Sequence, residues 1–110
     1  MTTLYVDEQM LDYTELARGD GEDTLIFIHG IVSSQYSWLD FPRAFARYGR
    51  VLTLTLPGHY PATFPPDMPE HWITDRWVGE TMAEAVRQLT GGQPAILIGH
   101  STGGYASLAT

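Results

Sequence analysis

The fold is decided by residues 95–104, which read Ala-Ile-Leu-Ile-Gly-His-Ser-Thr-Gly-Gly. The first four residues are continuously apolar, which is typical of a strand covered on both faces in a parallel sheet. The pattern Gly-x-Ser-x-Gly that follows predicts a sharp turn from strand to helix, with Ser101 in strained backbone geometry. Gly99 and Gly103 would lie so close together that only hydrogen side chains fit. The alternative interpretation is a glycine-rich turn without chemistry.

Upstream of this stretch, strand and helix patterns alternate along the chain. In chain order, the patterns predict an antiparallel ribbon from Leu4–Val6 and Leu11–Ala17, a strand at Thr24–Ile28, a helix beginning near Pro42, a strand at Val51–Leu56, a helix over Trp72–Thr90, a strand at Ala95–Ile98 and a helix in Tyr105–Thr110. Five prolines between residues 57 and 70 predict an ordered loop without regular structure. This alternation favours a right-handed, parallel α/β arrangement.

Composition narrows the classes of partner and cofactor. A chain of 110 residues that is 44% hydrophobic has the material for one compact domain. Thirteen acidic residues against six arginines and no lysine give a net charge of −7. An acidic surface repels phosphate, so nucleic acid and anionic membranes are disfavoured as partners. The absence of cysteine excludes disulfides, iron–sulfur clusters and thiolate zinc sites.

Targeting signals are not evident in the sequence. The segment Met1–Met10 carries Asp7 and Glu8 and no arginine, which is unlike a secretory signal. No apolar stretch approaches the roughly 20 residues of a membrane helix. We therefore expect a soluble, cytoplasmic protein.

Three motifs in correct order and spacing resemble the α/β-hydrolase superfamily: Ile28-His29-Gly30, Leu56-Pro57-Gly58-His59 and Gly99-His100-Ser101. The closest likeness is to single-domain esterases, lipases and haloperoxidase-like enzymes, and it extends from about Tyr5 to Thr110. The resemblance implies the N-terminal part of an α/β-hydrolase fold, with a mostly parallel sheet and an antiparallel N-terminal ribbon. A serine at position 101 argues against the aspartate-dependent relatives, the haloalkane dehalogenases and epoxide hydrolases.

The resemblance also implies roles for particular residues. Ser101 would be the nucleophile of a serine hydrolase that cleaves ester or related acyl bonds of a small-molecule substrate. The backbone N–H groups of Ile31 and Thr102 would form the oxyanion hole. His29 and His100 would then be structural neighbours of the site rather than the catalytic base.

Two departures from the family pattern occur near the second motif. The family often has an acidic residue before Leu-Pro-Gly, where this chain has Thr55. It usually has a small residue after Gly-His, where this chain has Tyr60 and Pro61. We expect these residues near the mouth of the site, where they would alter the shape of the substrate pocket.

The general base and the acid that orients it are missing from the expected place. In this family both follow the serine, but residues 102–110 contain no Asp, Glu or His. Upstream, His71 and Asp75 are four residues apart and could face one another on a helix, yet a solvated pair is the simpler interpretation. His59 is similarly interpreted as a turn residue.

Residues 1–110 are therefore expected to form a single, incomplete hydrolase domain that is truncated after the nucleophile elbow. We expect Ala95–Ile98 to have one unpaired edge and the chain to be inactive unless a second chain supplies the acid and histidine. No metal or organic cofactor is implied. The alternative is a non-enzymatic, hydrolase-like half that binds a partner chain or small ligand. A nucleotide-binding domain is disfavoured because Gly99–Gly104 has serine where a G-x-G-x-x-G loop needs glycine.

Overall fold

The structure is a computed structural model that describes residues 2–30, 34–38, 41–59, 62–65, 68–69, 71 and 73–109. The elements whose bounds lie within these ranges are the strands of one sheet, two α-helices and two 3₁₀ helices. The elements are β1 (Thr2–Val6), β2 (Gln9–Arg18), β3 (Asp23–Ile28), η1 (Gln35–Trp38), η2 (Phe41–Tyr48), β4 (Gly49–Leu54), α1 (Asp75–Thr90), β5 (Ile96–Gly99) and α2 (Thr102–Ala109).

The strand order β1-β2-β4-β3-β5 places β3 between the two strands that run parallel to it. Ile28, the last residue of β3, lies opposite Leu54 of β4 and Gly99 of β5. The carboxyl ends of these three strands therefore meet at one edge of the sheet. Ligands of open α/β sheets bind at this edge, so the segments that follow the three strands are the place to look for a site.

The first two strands form the antiparallel part of the sheet. β1 and β2 are joined through a turn in which Asp7 has φ 52°, a left-handed conformation that aspartate tolerates better than most residues. β2 also pairs in an antiparallel sense with β4, where Tyr13 lies opposite Leu54. The ribbon is thus continuous with the parallel strands.

Alternation along β3 and β4 gives the sheet two apolar faces. One face carries Ile26 and Leu52, which belong to a buried cluster that includes Met82 and Ala85 of α1. The opposite face carries Phe27, which packs against Trp38 of η1 with ring centroids 5.2 Å apart. Both faces of β3 are therefore covered, as its continuously apolar sequence predicted.

Helix α1 has clear signals at both ends. The Thr74 hydroxyl accepts a hydrogen bond of 3.1 Å from the Trp77 N–H, which satisfies one of the donors left free at a helix start. At the other end Gly91 has φ 63°, the left-handed conformation that commonly ends a helix. The helix therefore begins at Asp75, three residues after the predicted start at Trp72, which lies outside the described residues.

The predicted mostly parallel sheet with an antiparallel ribbon is confirmed, with shifts at several element ends. The largest difference is at residues 41–48, where the helix predicted near Pro42 is a 3₁₀ helix. A 3₁₀ helix rises about 2.0 Å per residue against about 1.5 Å for an α-helix, and this one leads directly into β4 at Gly49. The final helix begins at Thr102 rather than near Tyr105.

Strand β5 forms an edge of the sheet in the described part of the chain. Ile96 is 49% exposed, and Leu108 of the neighbouring helix α2 is 88% exposed. The sequence of β5 is typical of a strand covered on both faces, but in the described part of the chain β5 is covered only in part.

Candidate active site

Ser101 lies at the turn between β5 and α2 and has a left-handed backbone conformation, with φ 56°. A non-glycine residue adopts this conformation at a cost of about 1–2 kcal/mol, and such strain clusters at functional sites. The turn is closed by two backbone hydrogen bonds of 2.9 Å, from the Gly103 N–H to the His100 carbonyl and from the Gly104 N–H to the Ser101 carbonyl. Ser101 is exposed, so a substrate can approach it.

The glycines on either side of Ser101 are required by close approach of backbone to backbone. A Cβ on Gly99 would lie 2.3 Å from the Gly103 carbonyl oxygen. A Cβ on Gly103 would lie 2.2 Å from the Ile28 carbonyl oxygen and 2.3 Å from that of His29. The first turn of α2 therefore packs directly on the end of β3, and this packing fixes the position of Ser101 relative to the segment that follows β3.

The resemblance implies two backbone N–H groups as oxyanion donors, those of Thr102 and Ile31, and the structure describes only Thr102. Thr102 is the first residue of α2, where N–H groups have no acceptor within the helix. Ile31 lies outside the described residues. Gly30, which precedes it, is buried beside the elbow, since a Cβ built on it would lie 3.5 Å from the Ser101 Cβ. The chain thus passes next to Ser101 on its way to Ile31.

His29 is fully buried, and both of its ring nitrogens are engaged. Nδ1 donates to the Gly30 carbonyl at 2.6 Å, and Nε2 accepts from the Leu56 N–H at 2.9 Å. Burial lowers the pKa of His29 below its usual value near 6.5, the hydrogen bond to Gly30 and the Asp12 carboxylate oppose that change, and the His59 ring adds to it. A neutral ring with both nitrogens occupied holds two strand ends together and is not placed to accept a proton from Ser101.

The buried state of His29 predicts a pH dependence of stability. In the unfolded chain the ring protonates near pH 6.5, whereas in the folded protein its pKa is lower, so the unfolded state binds more protons between the two values. The stabilisation is therefore complete above about pH 6.5 and is lost as the pH falls through the folded pKa. The free energy of unfolding, measured by urea denaturation from pH 7.5 to 5.5, should decrease.

Two variants separate this effect from general acid sensitivity. His29→Gln should be less stable at pH 7.5 but should lose less stability than the wild type between pH 7.5 and 5.5. Thr81→Val, which alters a buried side chain and removes no titrating group, should leave the slope unchanged. A His29→Gln protein with the wild-type slope would show that His29 is not the source of the pH dependence.

The other histidines do not form a base for Ser101. His59 is half-buried, with its ring 5.0 Å from that of His29 and its Nδ1 3.2 Å from the Pro57 carbonyl oxygen. His100 is exposed, with its ring 6.4 Å from that of Trp38. Among the described residues, no histidine nitrogen forms a hydrogen bond with the Ser101 hydroxyl.

Two further expectations from the sequence concern the pair His71 and Asp75 and the departures near the second motif. Asp75 is exposed at the first position of α1, and His71 is also exposed. Tyr60 and Pro61 lie outside the described residues. Thr55 was expected near the mouth of the site, but it is fully buried, because its hydroxyl turns inward to a buried carboxylate.

That carboxylate belongs to Asp12, which sequence reasoning missed together with Gln35. Both side chains are buried, and the Gln35 amide donates to Asp12 Oδ2, as does the Thr55 hydroxyl at 3.1 Å. Successive residues of a strand point to opposite faces, so Asp12 lies on the face opposite Leu11, and in β2 both residues are fully buried.

The described part of the chain offers no evident place for a metal ion or a membrane span. In the ranges described, His, Asp and Glu side chains do not gather in groups of three that could ligate a metal. Neither described α-helix is both long enough and apolar enough to cross a bilayer.

A sequence model of the alpha/beta hydrolase family matches residues 25–110. The chain therefore belongs to the alpha/beta hydrolase family, and its sheet is the N-terminal portion of that fold. No curated protein matches it.

Solved structures with the same fold cover nearly all of the chain. A membrane phospholipase A is 26% identical, with a TM-score of 0.77 over 94% of this chain and 32% of that protein. The N-acyl homoserine lactonase AidH is also 26% identical, with a TM-score of 0.77 over 98% of this chain and 38% of that protein. A putative lipase from Acinetobacter baumannii AYE, at 23% identity and a TM-score of 0.81 over 97% of this chain and 34% of its own, shows the fold alone. The chain thus spans about a third of the length of the structures that it matches.

Proposed function

We propose that Ser101 is the nucleophile of a serine hydrolase that cleaves ester or related acyl bonds of small molecules. The observation that carries this proposal is the left-handed backbone of Ser101, with φ 56°, at a strand-to-helix turn that only glycines at 99 and 103 allow. Strain of this kind is retained where it presents a side chain for chemistry. A glycine-rich turn without chemistry has no need of a strained serine at its apex.

The reaction follows from the groups around the turn. The Ser101 hydroxyl oxygen attacks the carbonyl carbon of the substrate while a general base accepts the hydroxyl proton. The oxyanion that forms is held by the N–H of Thr102, at the start of α2, and by that of Ile31. The base then returns the proton to the leaving alcohol, and water releases the acyl group from Ser101 by the same steps in reverse order.

The base and its acidic partner are proposed to lie outside these 110 residues. His29 has both nitrogens engaged, and within the described residues neither His59 nor His100 forms a hydrogen bond with the Ser101 hydroxyl. We expect the two groups to be supplied by further polypeptide, either continuous with Thr110 or as a second chain. Without them the 110-residue domain, which we regard as a single incomplete unit, should be inactive, and no cofactor is required.

The class of substrate is supported by two of the structural neighbours. The phospholipase A and the N-acyl homoserine lactonase are both 26% identical to this chain. A lactone is a cyclic ester, so carboxylic esters are the bonds that we expect Ser101 to attack. A cytoplasmic location is proposed from the sequence.

A second candidate function, binding of a partner chain without catalysis, is favoured by the edge strand. β5 has one described neighbour, β3, and its Ile96 is 49% exposed. An apolar edge of this kind readily pairs with another strand. The two candidate functions differ in whether Ser101 is chemically activated.

Labelling with a fluorophosphonate probe tests this difference, because the probe reacts only with an activated serine. We expect the 110-residue chain to remain unlabelled and a polypeptide that continues past Thr110 to be labelled at Ser101, located by peptide mass spectrometry. Labelling of the 110-residue chain by itself would support Ser101 as the nucleophile but would disprove the need for an external base. If neither polypeptide reacts, the hydrolase proposal is wrong and the binding function is favoured.

A further inference from the structure

His100, the residue just before the proposed nucleophile, makes a side-chain contact that the proposed reaction does not use. Its ring forms a T-shaped pair with the indole of Trp38, with centroids 6.4 Å apart and planes at 81°. Aromatic rings in this arrangement attract one another when their centroids are about 4.5–7 Å apart. The same ring lies beside Gly30, because its Nδ1 is 3.4 Å from the position of a Cβ built on that glycine. The His100 ring is therefore in contact with η1 and with the chain just after β3.

Trp38 is itself held in place by two sets of contacts. Its indole packs on the buried ring of Phe27 in β3, with centroids 5.2 Å apart. At the other end of η1, the amide nitrogen of Gln35 donates to Asp12 Oδ2, and its amide oxygen accepts a 2.9 Å hydrogen bond from the Thr53 hydroxyl. The short helix is thus attached to β2, β3 and β4, and a side chain on it can serve as a fixed support for a neighbouring ring.

The stability of the fold gives little reason for an indole at position 38. The Nε1–H of Trp38 is buried and has no hydrogen-bond partner among the described residues. An unpaired buried donor is destabilising, so an apolar side chain would cover Phe27 without this penalty. The contact with the His100 ring accounts for a large flat side chain at this position.

The strained backbone of Ser101 needs support from outside the turn. A serine with φ 56° persists only where the surrounding structure holds it. Backbone hydrogen bonds supply part of that support, from the His100 N–H to the Ile28 carbonyl at 3.1 Å and from the Gly103 N–H to the His100 carbonyl at 2.9 Å. The contact with Trp38 adds a side-chain restraint on the residue directly before Ser101.

We propose that Trp38 is a positioning residue for Ser101: by packing on the His100 ring it holds the strained turn in the conformation that presents the hydroxyl. This inference rests on the proposed function of Ser101. Displacement of a reacting group by about 1 Å can cost about 100-fold in rate, so a support of this kind affects catalysis without touching the substrate.

Four variants separate this support from ordinary packing. Trp38→Leu removes the indole and with it the ring contact. His100→Ala cuts the same contact from the other side, and because His100 is exposed this variant should fold even if Trp38→Leu does not. His100→Phe keeps a ring that can pair with Trp38 and is the conservative rescue. Phe45→Leu is the matched control, because Phe45 is also half-buried, packs on Phe27 with centroids 5.7 Å apart and makes no ring contact with His100 among the described residues.

Backbone amide hydrogen exchange measures the support without any need for activity. The N–H groups of Gly103 and Gly104 close the turn, so their exchange reports how often it opens. In Trp38→Leu and His100→Ala these two amides should exchange about three- to tenfold faster than in the wild type, relative to the amides of β4. This factor corresponds to about 0.6–1.4 kcal/mol of lost protection. His100→Phe and Phe45→Leu should resemble the wild type in the same ratio.

The double variant Trp38→Leu/His100→Ala tests whether the two side chains act through one contact. It should exchange no faster at Gly103 and Gly104 than the faster of the single variants, because both changes remove the same interaction. Effects that add up would show that the two residues act independently. That result, or unchanged exchange in both single variants, would disprove the support.

The catalytic consequence is read in the polypeptide that labels at Ser101. Trp38→Leu and His100→Ala should each lower kcat for ester hydrolysis by about three- to tenfold with KM changed by less than about twofold, and His100→Phe should restore most of the rate. Wild-type kcat in both variants would overturn the positioning role, as would a raised KM with wild-type kcat, which would assign Trp38 to substrate binding. A wild type that never labels would instead overturn the proposed function, while the exchange data would still decide whether Trp38 supports the turn.

Discussion

Gly103→Ala is expected to destabilise the protein by about 3 kcal/mol or more, because the elbow has no room for a methyl group. The added Cβ would lie 2.2 Å from the Ile28 carbonyl oxygen and 2.3 Å from that of His29. Both are backbone atoms at the end of β3, so they cannot turn away as a flexible side chain would. Relief would require α2 to move off the strand, which would also displace Ser101.

The neighbouring glycine provides the matched control. A Cβ on Gly104 would lie 3.7 Å from the Gly99 carbonyl oxygen, an ordinary van der Waals contact. Gly104 is within α2, where alanine is favoured over glycine by about 1 kcal/mol. Gly104→Ala should therefore be as stable as the wild type or slightly more stable.

The measurement is the free energy of unfolding from urea denaturation of the two variants and the wild type. If Gly103→Ala yields no folded protein, its yield and circular dichroism beside those of Gly104→Ala give the same comparison. Equal stability of the two alanine variants would contradict the close packing of α2 on β3.

The sequence predicted those features that local pattern determines. Continuous apolar runs predicted β3 and β4, and the Gly-x-Ser-x-Gly pattern predicted the turn at Ser101 with a helix after it. The prediction placed that helix three residues too late, because Thr102, Gly103 and Gly104 are poor helix formers. Packing against the end of β3 overrides this weak preference, and tertiary contacts of that kind are not visible in a short window of sequence.

The buried polar cluster could not be predicted in the same way. Asp12, Gln35 and Thr55 are far apart in the sequence, and each alone looks like an ordinary surface or turn residue. Asp12 and Thr55 meet because β2 pairs with β4, which places the Asp12 carbonyl oxygen 3.0 Å from the Thr55 nitrogen, and Gln35 reaches them from η1. Strand order depends on the whole chain and cannot be read from a local pattern. For this reason the departure at Thr55 was interpreted as a change at the mouth of the site rather than as part of an internal network.

Ser101→Ala is expected to abolish fluorophosphonate labelling and to lower the rate of ester hydrolysis by about 10⁴-fold or more in the polypeptide that is active. The reason is that no other oxygen can occupy the apex of the turn. Ser107, also on α2, is the matched control, because its hydroxyl donates to the Gly103 carbonyl at 2.7 Å and takes no part in the proposed reaction. Ser107→Ala should keep full labelling. Residual labelling of Ser101→Ala near the wild-type level would show that another residue is the nucleophile.

Ser101→Gly distinguishes a strained nucleophile from an ordinary turn residue. At φ 56° serine bears a conformational cost of about 1–2 kcal/mol that glycine avoids, although glycine loses about 0.5–1 kcal/mol more backbone entropy on folding. The net expectation is a protein that is more stable by up to about 1.5 kcal/mol and cannot be labelled, whereas Ser101→Ala keeps the strain and gains nothing. A gain in stability that coincides with complete loss of reactivity is the signature of strain retained for function. If glycine were instead destabilising, the backbone at 101 would not be strained, and the observation that carries the proposed function would be lost.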